Sequence, residues 1–537
     1  MILIEALTKA DLQQLIGVEF FDEMSSFIEK LTLSGTADEE LILYTKKNLV
    51  RLLLSMGEAS ILCNIDFWKK NVFAVLSEEK IGNIEAELDI NVSKLSKNDV
   101  LKCIAYEYKN YDIDIDLTDE EIIDVPAFLI CSPPEKSFKS LKKYQIRVSE
   151  QASTLLDNPK NRFIVQMPTG SGKTRTAMEV ICNYLNDHPN GDIVWLAHSG
   201  ELIEQAIECF TEIWSHIGRH EIALCVCDAN RNGLKRECEQ TRFVVSTLQK
   251  AISFLKNDSK EYNLLVDKVA LVIVDEAHKS TADKYRKAIE KLLSKGAFLM
   301  GLTATPGRSV ESENENTELA NFYFNNIVEI KSPEHKSVFD YLRDEKILSK
   351  VKFETITGSD VDLSPSQIKS ITNNFKIPDG VLKQLADEDI RNLEIVSKLH
   401  ELSKNHKSII LFACSIKHSK FISSVCNYLG ISSAHIDGNT PGYLRKTILS
   451  KFVNQSIKLI SNYGVLSTGF DAPKTDVVVI ARPTASIVLY SQMIGRGLRG
   501  PQIGGTKDCL IVNVKDNLIG MPEEDEIFDY FSEYYVN

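Results

Sequence analysis

The rhythm of apolar positions along this chain changes near residue 144. Upstream, apolar residues recur at helical spacing, as in Leu41-Ile-Leu-Tyr-Thr-Lys-Lys-Asn-Leu-Val-Arg-Leu-Leu-Leu54, and predict mainly helix. That region covers residues 1–138 and closes in an acidic stretch, Asp112 to Asp124, followed by Ser132-Pro133-Pro134, which reads as a linker. Downstream, short apolar runs alternate with amphipathic stretches. The runs are Phe163–Val165, Ile193–Ala197, Phe243–Val245 and Leu271–Val274. Strands buried on both faces look like this, and the amphipathic segments supply the crossover helices. The series restarts with Ser408–Ala413, Leu459–Ile460, Val477–Ile480 and Leu510–Val512. The expected class is α/β, with one parallel sheet over residues 139–332, a connecting segment over 333–405 and a second sheet over 406–537.

A chain of 537 residues exceeds what a single hydrophobic core serves, which agrees with this division. No apolar run approaches the roughly 20 residues that cross a bilayer. The start, Met1-Ile-Leu-Ile-Glu-Ala6, lacks the basic n-region and long apolar stretch of a secretory signal, so a cytoplasmic protein is expected. The eleven cysteines are scattered, as suits a reducing compartment. Cys225-Val-Cys227 with Cys238 lacks the paired spacing that closes a zinc site, and is expected to be an apolar strand, Ile222–Cys227. A net charge of −13 is unpromising for gripping phosphates. Residues 1–138, however, hold 26 acidic and 13 basic residues, so the remainder is neutral and leaves room for a local basic groove.

Two local patterns carry chemistry in the first sheet. Gln166-Met-Pro-Thr169-Gly170-Ser171-Gly172-Lys173-Thr174 follows a strand and opens a helix. Glycines there let backbone N–H groups approach phosphate oxygens, and the helix N-terminus adds its positive end. Lys173 can reach the β- and γ-phosphates of ATP, and the Thr174 hydroxyl can ligate Mg²⁺. The first position of the usual phosphate loop is Met167 rather than glycine. About a hundred residues on, Asp275-Glu276-Ala277-His278 ends an apolar run. A carboxylate at a strand end suits a metal partner, Asp275, and Glu276 is then placed to orient or deprotonate a water.

Through these two patterns, residues 139–537 resemble the superfamily 2 helicases and translocases of the DEAH-box type, and the resemblance implies two RecA-like domains. It implies adenine recognition by Gln145, and nucleic-acid contacts from His198 and Ser199 (Leu196 to Ile203), Thr247 (Val245 to Lys250) and Ser415. Thr303-Ala-Thr305 resembles the motif whose hydroxyls link the ATP site to the strand. In the second sheet, Leu466-Ser-Thr-Gly-Phe-Asp471 implies a backbone contact from Thr468, with Gly469 and Asp471 near the nucleotide. Gln492-Met-Ile-Gly-Arg496-Gly-Leu-Arg499 resembles the arginine-finger motif, with Gln492, Arg496 and Arg499 catalytic. Three residues apart on a helix, the two guanidiniums share one face.

The stretch from Arg482-Pro-Thr to Gly497-Leu-Arg-Gly-Pro501 is similar to restriction-enzyme motor subunits and bacterial repair helicases, which leans the substrate toward DNA. A nucleotide-gated DNA clamp and an RNA helicase are the competing readings. Asp66 with Glu78-Glu79-Lys80 could be forced into a nuclease pattern but reads better as a solvated turn. Residues 1–138 are expected to be an acidic helical adaptor for a protein partner, or a brake on the motor.

Overall fold

The computed structural model describes residues 17–35, 65–96, 126–131, 140–158, 161–236, 238–257, 259–307, 313–333, 336–359, 361–374, 377–466, 472–484 and 486–516, with the single positions 10, 13, 99, 100, 102, 103, 106 and 470. Leu41–Leu54, the acidic stretch and the Ser132-Pro-Pro segment lie outside them, as do Thr468, Gly469 and Asp471.

The first lobe holds β1 (Phe128–Cys131), β2 (Arg162–Gln166), β3 (Asp192–Ala197), β4 (Ile222–Cys227), β5 (Arg242–Thr247), β6 (Val269–Asp275), β7 (Phe298–Thr303) and β8 (Ile327–Glu329). They form one sheet in the order β1-β4-β5-β3-β6-β7-β2-β8, parallel except for β1 against β4. Its central strands are buried on both faces. Ile193, Trp195 and Ala197 of β3 enter one core, while Val194 and Leu196 enter the other. The Cys225-Val-Cys227 run is the buried strand β4, as its apolar character predicted. The second lobe holds β9 (Lys350–Thr357), β10 (Ile409–Phe412), β11 (Ser433–Ile436), β12 (Leu459–Asn462), β13 (Val477–Ile480) and β14 (Asp508–Lys515). These make a wholly parallel sheet in the order β11-β12-β10-β13-β14-β9.

Four elements differ from what the periodicity suggests. Phe128–Cys131, expected at the end of a helical region, is instead β1, an added edge strand of the first sheet. Four residues are too few for a period to show. Residues 350–357, expected to connect the sheets, are the edge strand β9, and the helix Asp389–Asn405 sends Ile395, Val396 and Leu399 into the second lobe's core. β9 escaped notice because none of its residues is buried and it carries Lys350, Lys352 and Glu354, the charged dress of an edge strand. The helix carrying Gln492 ends at Ile494, so Arg496 and Arg499 do not share a helical face. Glycines at 495, 497 and 500 disfavour further helix, and each is packed too closely for a side chain. Arg499 lies in an extended segment bridged to Leu348.

The described part of the N-terminal region is not a separate unit. Phe21, Met24, Phe27, Ile28 and Leu31 of the helix Val18–Leu33, with Trp68 and Phe73, share one core with Phe421, Ile422 and Val425 of the second lobe. Phe27 meets Phe421 edge-on at 5.0 Å, and Lys417 pairs with Glu23 at 3.0 Å. The apolar face of this amphipathic helix therefore finds its burial against the second lobe. Asp66 and Glu78–Lys80 stay apart from any metal-ligating cluster among the described residues, and Glu78–Lys80 open a helix rather than a turn.

Candidate active site

Strands β6, β7 and β2 are neighbours, and all three deliver chemistry at their C-terminal ends. That edge is where an open parallel sheet binds ligands. β2 runs into the loop 167–172 and then the helix Lys173–Asp187. Gly170 and Gly172 stand at φ 85° and 83°, left-handed values that a side chain would strain. The loop is braced from beneath. The Tyr144 hydroxyl donates to the Ser171 carbonyl at 2.5 Å, and the Ser171 hydroxyl donates to the Pro168 carbonyl at 2.7 Å. Gln145 lies against the same loop. Its carbonyl oxygen accepts the Lys142 N–H at 3.0 Å, and its amide nitrogen lies 3.4 Å from the Gly172 carbonyl.

Asp275 ends β6 and is buried. Burial pushes its carboxyl up to about 6 against the pull of Lys173, and the neighbouring Glu276 adds to the rise. Burial also disfavours a charged Glu276, but Lys173, His278 and His198 outweigh it and hold that carboxyl below its ordinary value. One ammonium thus serves two adjacent acids, with Glu276 the better-served anion. Glu276 sits at φ 57°, a strained position for a non-glycine residue and of a kind that gathers at functional sites. His278, whose basicity burial lowers to about 4, is the neutral link. Its Nδ1 lies 3.3 Å from a Glu276 oxygen and 3.4 Å from the Thr303 hydroxyl, so a proton on Nδ1 can be shared between them.

Thr303 and Thr305 are buried, and the Thr303 hydroxyl donates to the Thr305 carbonyl at 2.8 Å. Their expected place on a nucleic-acid strand is corrected to the interior, where they support the acidic pair through His278. Ser199, Thr247 and Ser415 stand at helix starts. Each caps a helix N-terminus, accepting the N–H of Leu202 at 3.4 Å, Lys250 at 3.1 Å and His418 at 3.0 Å. These helix ends follow β3, β5 and β10, and such ends attract anions. His198 lies beside Ser199, and burial lowers its basicity to about 4.

The second lobe closes against this loop. A Cβ on Gly170 would lie 3.6 Å from Cγ of Arg499, and one on Gly495 would lie 2.4 Å from a Thr169 methyl. Arg499 therefore stands beside the phosphate loop. Arg496 is buried, donating from Nε to the Gln492 carbonyl at 3.3 Å and from Nη1 to the Phe470 carbonyl. Sequence reasoning missed Arg445, which pairs with Glu201 across the lobes and donates to the Asp437 carbonyl at 2.6 Å. It also missed the buried pair of Arg391 with Asp516, at 2.7 Å. Neither has a local pattern that could have announced it.

Two family matches fall on the two lobes. Residues 138–308 match the type III restriction enzyme res subunit, and residues 391–500 match the helicase conserved C-terminal domain. The chain belongs to the superfamily 2 helicases. It is 27% identical over 370 residues to IRC3 of Saccharomyces cerevisiae, named as an ATP-dependent helicase, covering 67% of this chain and 49% of that one. It is 30% identical over 193 residues to the ATP-dependent DNA helicase mph1 of Sclerotinia sclerotiorum, covering 35% of this chain and 15% of that one. The solved structure of the DUF1998 helicase MrfA bound to DNA shares the fold, with a TM-score of 0.50, 14% identity, and coverage of 76% of this chain and 56% of that one. The chain thus spans about half the length of the yeast relative. No helix among the described residues is long and apolar enough to cross a membrane.

Proposed function

We propose that this protein is a nucleic-acid-stimulated ATPase that translocates along DNA, using the cleft between Lys173 and Arg499 to hydrolyse ATP. The observation that carries this reading is the contact of Arg499 and Gly495 with the loop at Thr169 and Gly170. It makes one cleft from two independently folded sheets. ATP in that cleft would be gripped by backbone N–H groups of residues 170–174 and by the Lys173 ammonium. Glu276, held anionic, orients and deprotonates the attacking water, and His278 with Thr303 fixes its carboxylate. Arg499 answers the charge that spreads over the phosphoryl oxygens in the transition state. Mg²⁺ fits the donors present, since the Thr174 hydroxyl and the Asp275 carboxylate are the hard oxygens it prefers. Bound there, it would neutralise phosphate charge. Gln145 is the adenine reader in this scheme, and it must exchange a backbone bond for the base edge.

DNA is favoured as the track by the relatives, and the capped helix ends after β3, β5 and β10 are its backbone contacts. The DEAH sequence, a restriction, phage-defence or repair setting, a cytoplasmic location and a protein partner on the outer face of the N-terminal region complete the proposal. The test is ATP turnover with no nucleic acid, single-stranded DNA, duplex DNA and single-stranded RNA, beside triplex and strand displacement. Stimulation by duplex DNA with triplex displacement is expected. Stimulation by RNA alone, or turnover that survives Lys173→Ala, overturns it.

A further inference from the structure

Arg482 follows β13, and the proposed ATP chemistry does not use it. Its guanidinium carbon lies 4.9 Å from the centre of the Tyr463 ring, which follows β12. No carboxylate pairs with it among the described residues, and its guanidinium packs on the ring. Between β12 and β13 lies β10, whose end carries Ser415 and the helix it caps. Tyr463, Ser415 and Arg482 therefore sit in a row along the C-terminal edge of the second sheet.

The chain fixes both members of the stack. Ala481, just before Arg482, donates its N–H to Phe412, and its carbonyl accepts from the Arg391 guanidinium and from the Cys414 thiol at 3.0 Å. Pro483, just after, denies Arg482 a helical conformation. Tyr463 hangs from Ile436 through its own N–H and follows Asn462, which is buried and bonded to the Leu411 carbonyl at 2.9 Å. Gly464 then turns away at φ 75°, with open space where a side chain would stand. A planar cation held against a ring keeps its edge N–H groups free for an incoming anion, and stacking reduces the freedom lost on binding.

We propose that Arg482, held on Tyr463, is a phosphate-contacting site for the nucleic-acid strand on the second lobe. The proposal rests on the nucleic-acid reading above and adds a residue that no motif of the sequence assigned to that role. The ligand is a phosphodiester, gripped by the guanidinium edge beside the Ser415-capped helix end. Tyr463 positions the arginine.

The experiment is a salt titration of binding to a fluorescent single strand of thymidines, for the full chain and its variants. Arg482→Ala is expected to weaken binding several-fold and to reduce the slope of log affinity on log salt by roughly 0.7, the loss of one contact to a single strand. Tyr463→Leu should weaken binding in part, Tyr463→Phe should not, and Arg482→Lys should keep the slope with lower affinity. ATP turnover without nucleic acid should stay at the wild-type value in all four. If Arg482→Ala keeps both affinity and slope while the wild type binds, this inference is overturned and the nucleic-acid reading stands. If the wild type binds no nucleic acid at all, both fall.

Discussion

The first lobe carries its proposed catalytic residues at the ends of strands, whereas the second carries them on a segment that has just ceased to be helix. Lys173, Asp275 and Glu276 are placed by neighbouring parallel strands whose register dictates where each ends. Arg496 and Arg499 are placed by close backbone packing after Ile494, with three glycines giving the room. The first arrangement rests on strand pairing within one sheet. The second depends on how the lobes meet, as the proposed cycle of opening and closing requires.

The comparison is broken most directly at Arg499. Its replacement by alanine is expected to lower nucleic-acid-stimulated ATP turnover by about 10³- to 10⁵-fold with little change in thermal midpoint, and lysine should restore little. Arg496→Ala should lower turnover and midpoint together, because its guanidinium also holds the Gln492 and Phe470 carbonyls. Should Arg499→Ala turn over within tenfold of wild type, the second lobe has no part in the chemistry.

Arg391→Ala tests the frame that carries those arginines. It leaves Asp516 buried without its partner and should cost about 3–5 kcal/mol in urea unfolding, while Arg391→Met with Asp516→Leu should cost far less. Gly495→Ala asks whether the lobes must touch as described. Its methyl would collide with Thr169, so turnover should fall on the order of 10²-fold with secondary structure by circular dichroism unchanged.

Asp275→Asn sharpens the account of the first lobe. A buried carboxyl raised to about 6 holds its proton in the fold after the unfolded chain has lost it. Stability then falls as pH rises from the ordinary carboxylate range to about 6, and the deficit is complete above that. The asparagine variant, free of Mg²⁺, should be more stable at pH 7.5, on the order of 1–3 kcal/mol, and flatter between pH 4 and 6. A thermal scan across pH reads this, and an unchanged profile would remove the burial argument. Turnover should be lost.

Much of this was legible before folding. Strands β2, β3, β4, β5, β6, β10, β12, β13 and β14 announce themselves as apolar runs because both their faces are buried. The phosphate loop and the acidic pair are visible because they need particular residues within a few positions of a strand end. β1 and β9 were not visible, since a short or solvent-exposed edge strand has no apolar signature. The helical face expected for Arg496 and Arg499 was wrong because spacing alone cannot show where a helix stops.

What residue order settled by itself is thus the pair of sheets, along with the loop and acidic pair proposed to hold a triphosphate, because burial on two faces and left-handed glycines are properties of single short segments. Tertiary structure alone decided that Arg499 meets Gly170, that Thr303 turns inward to His278, and that the N-terminal helix is buried on the second lobe. Those outcomes depend on which distant surfaces exclude water together, and no local pattern encodes a partner hundreds of residues away.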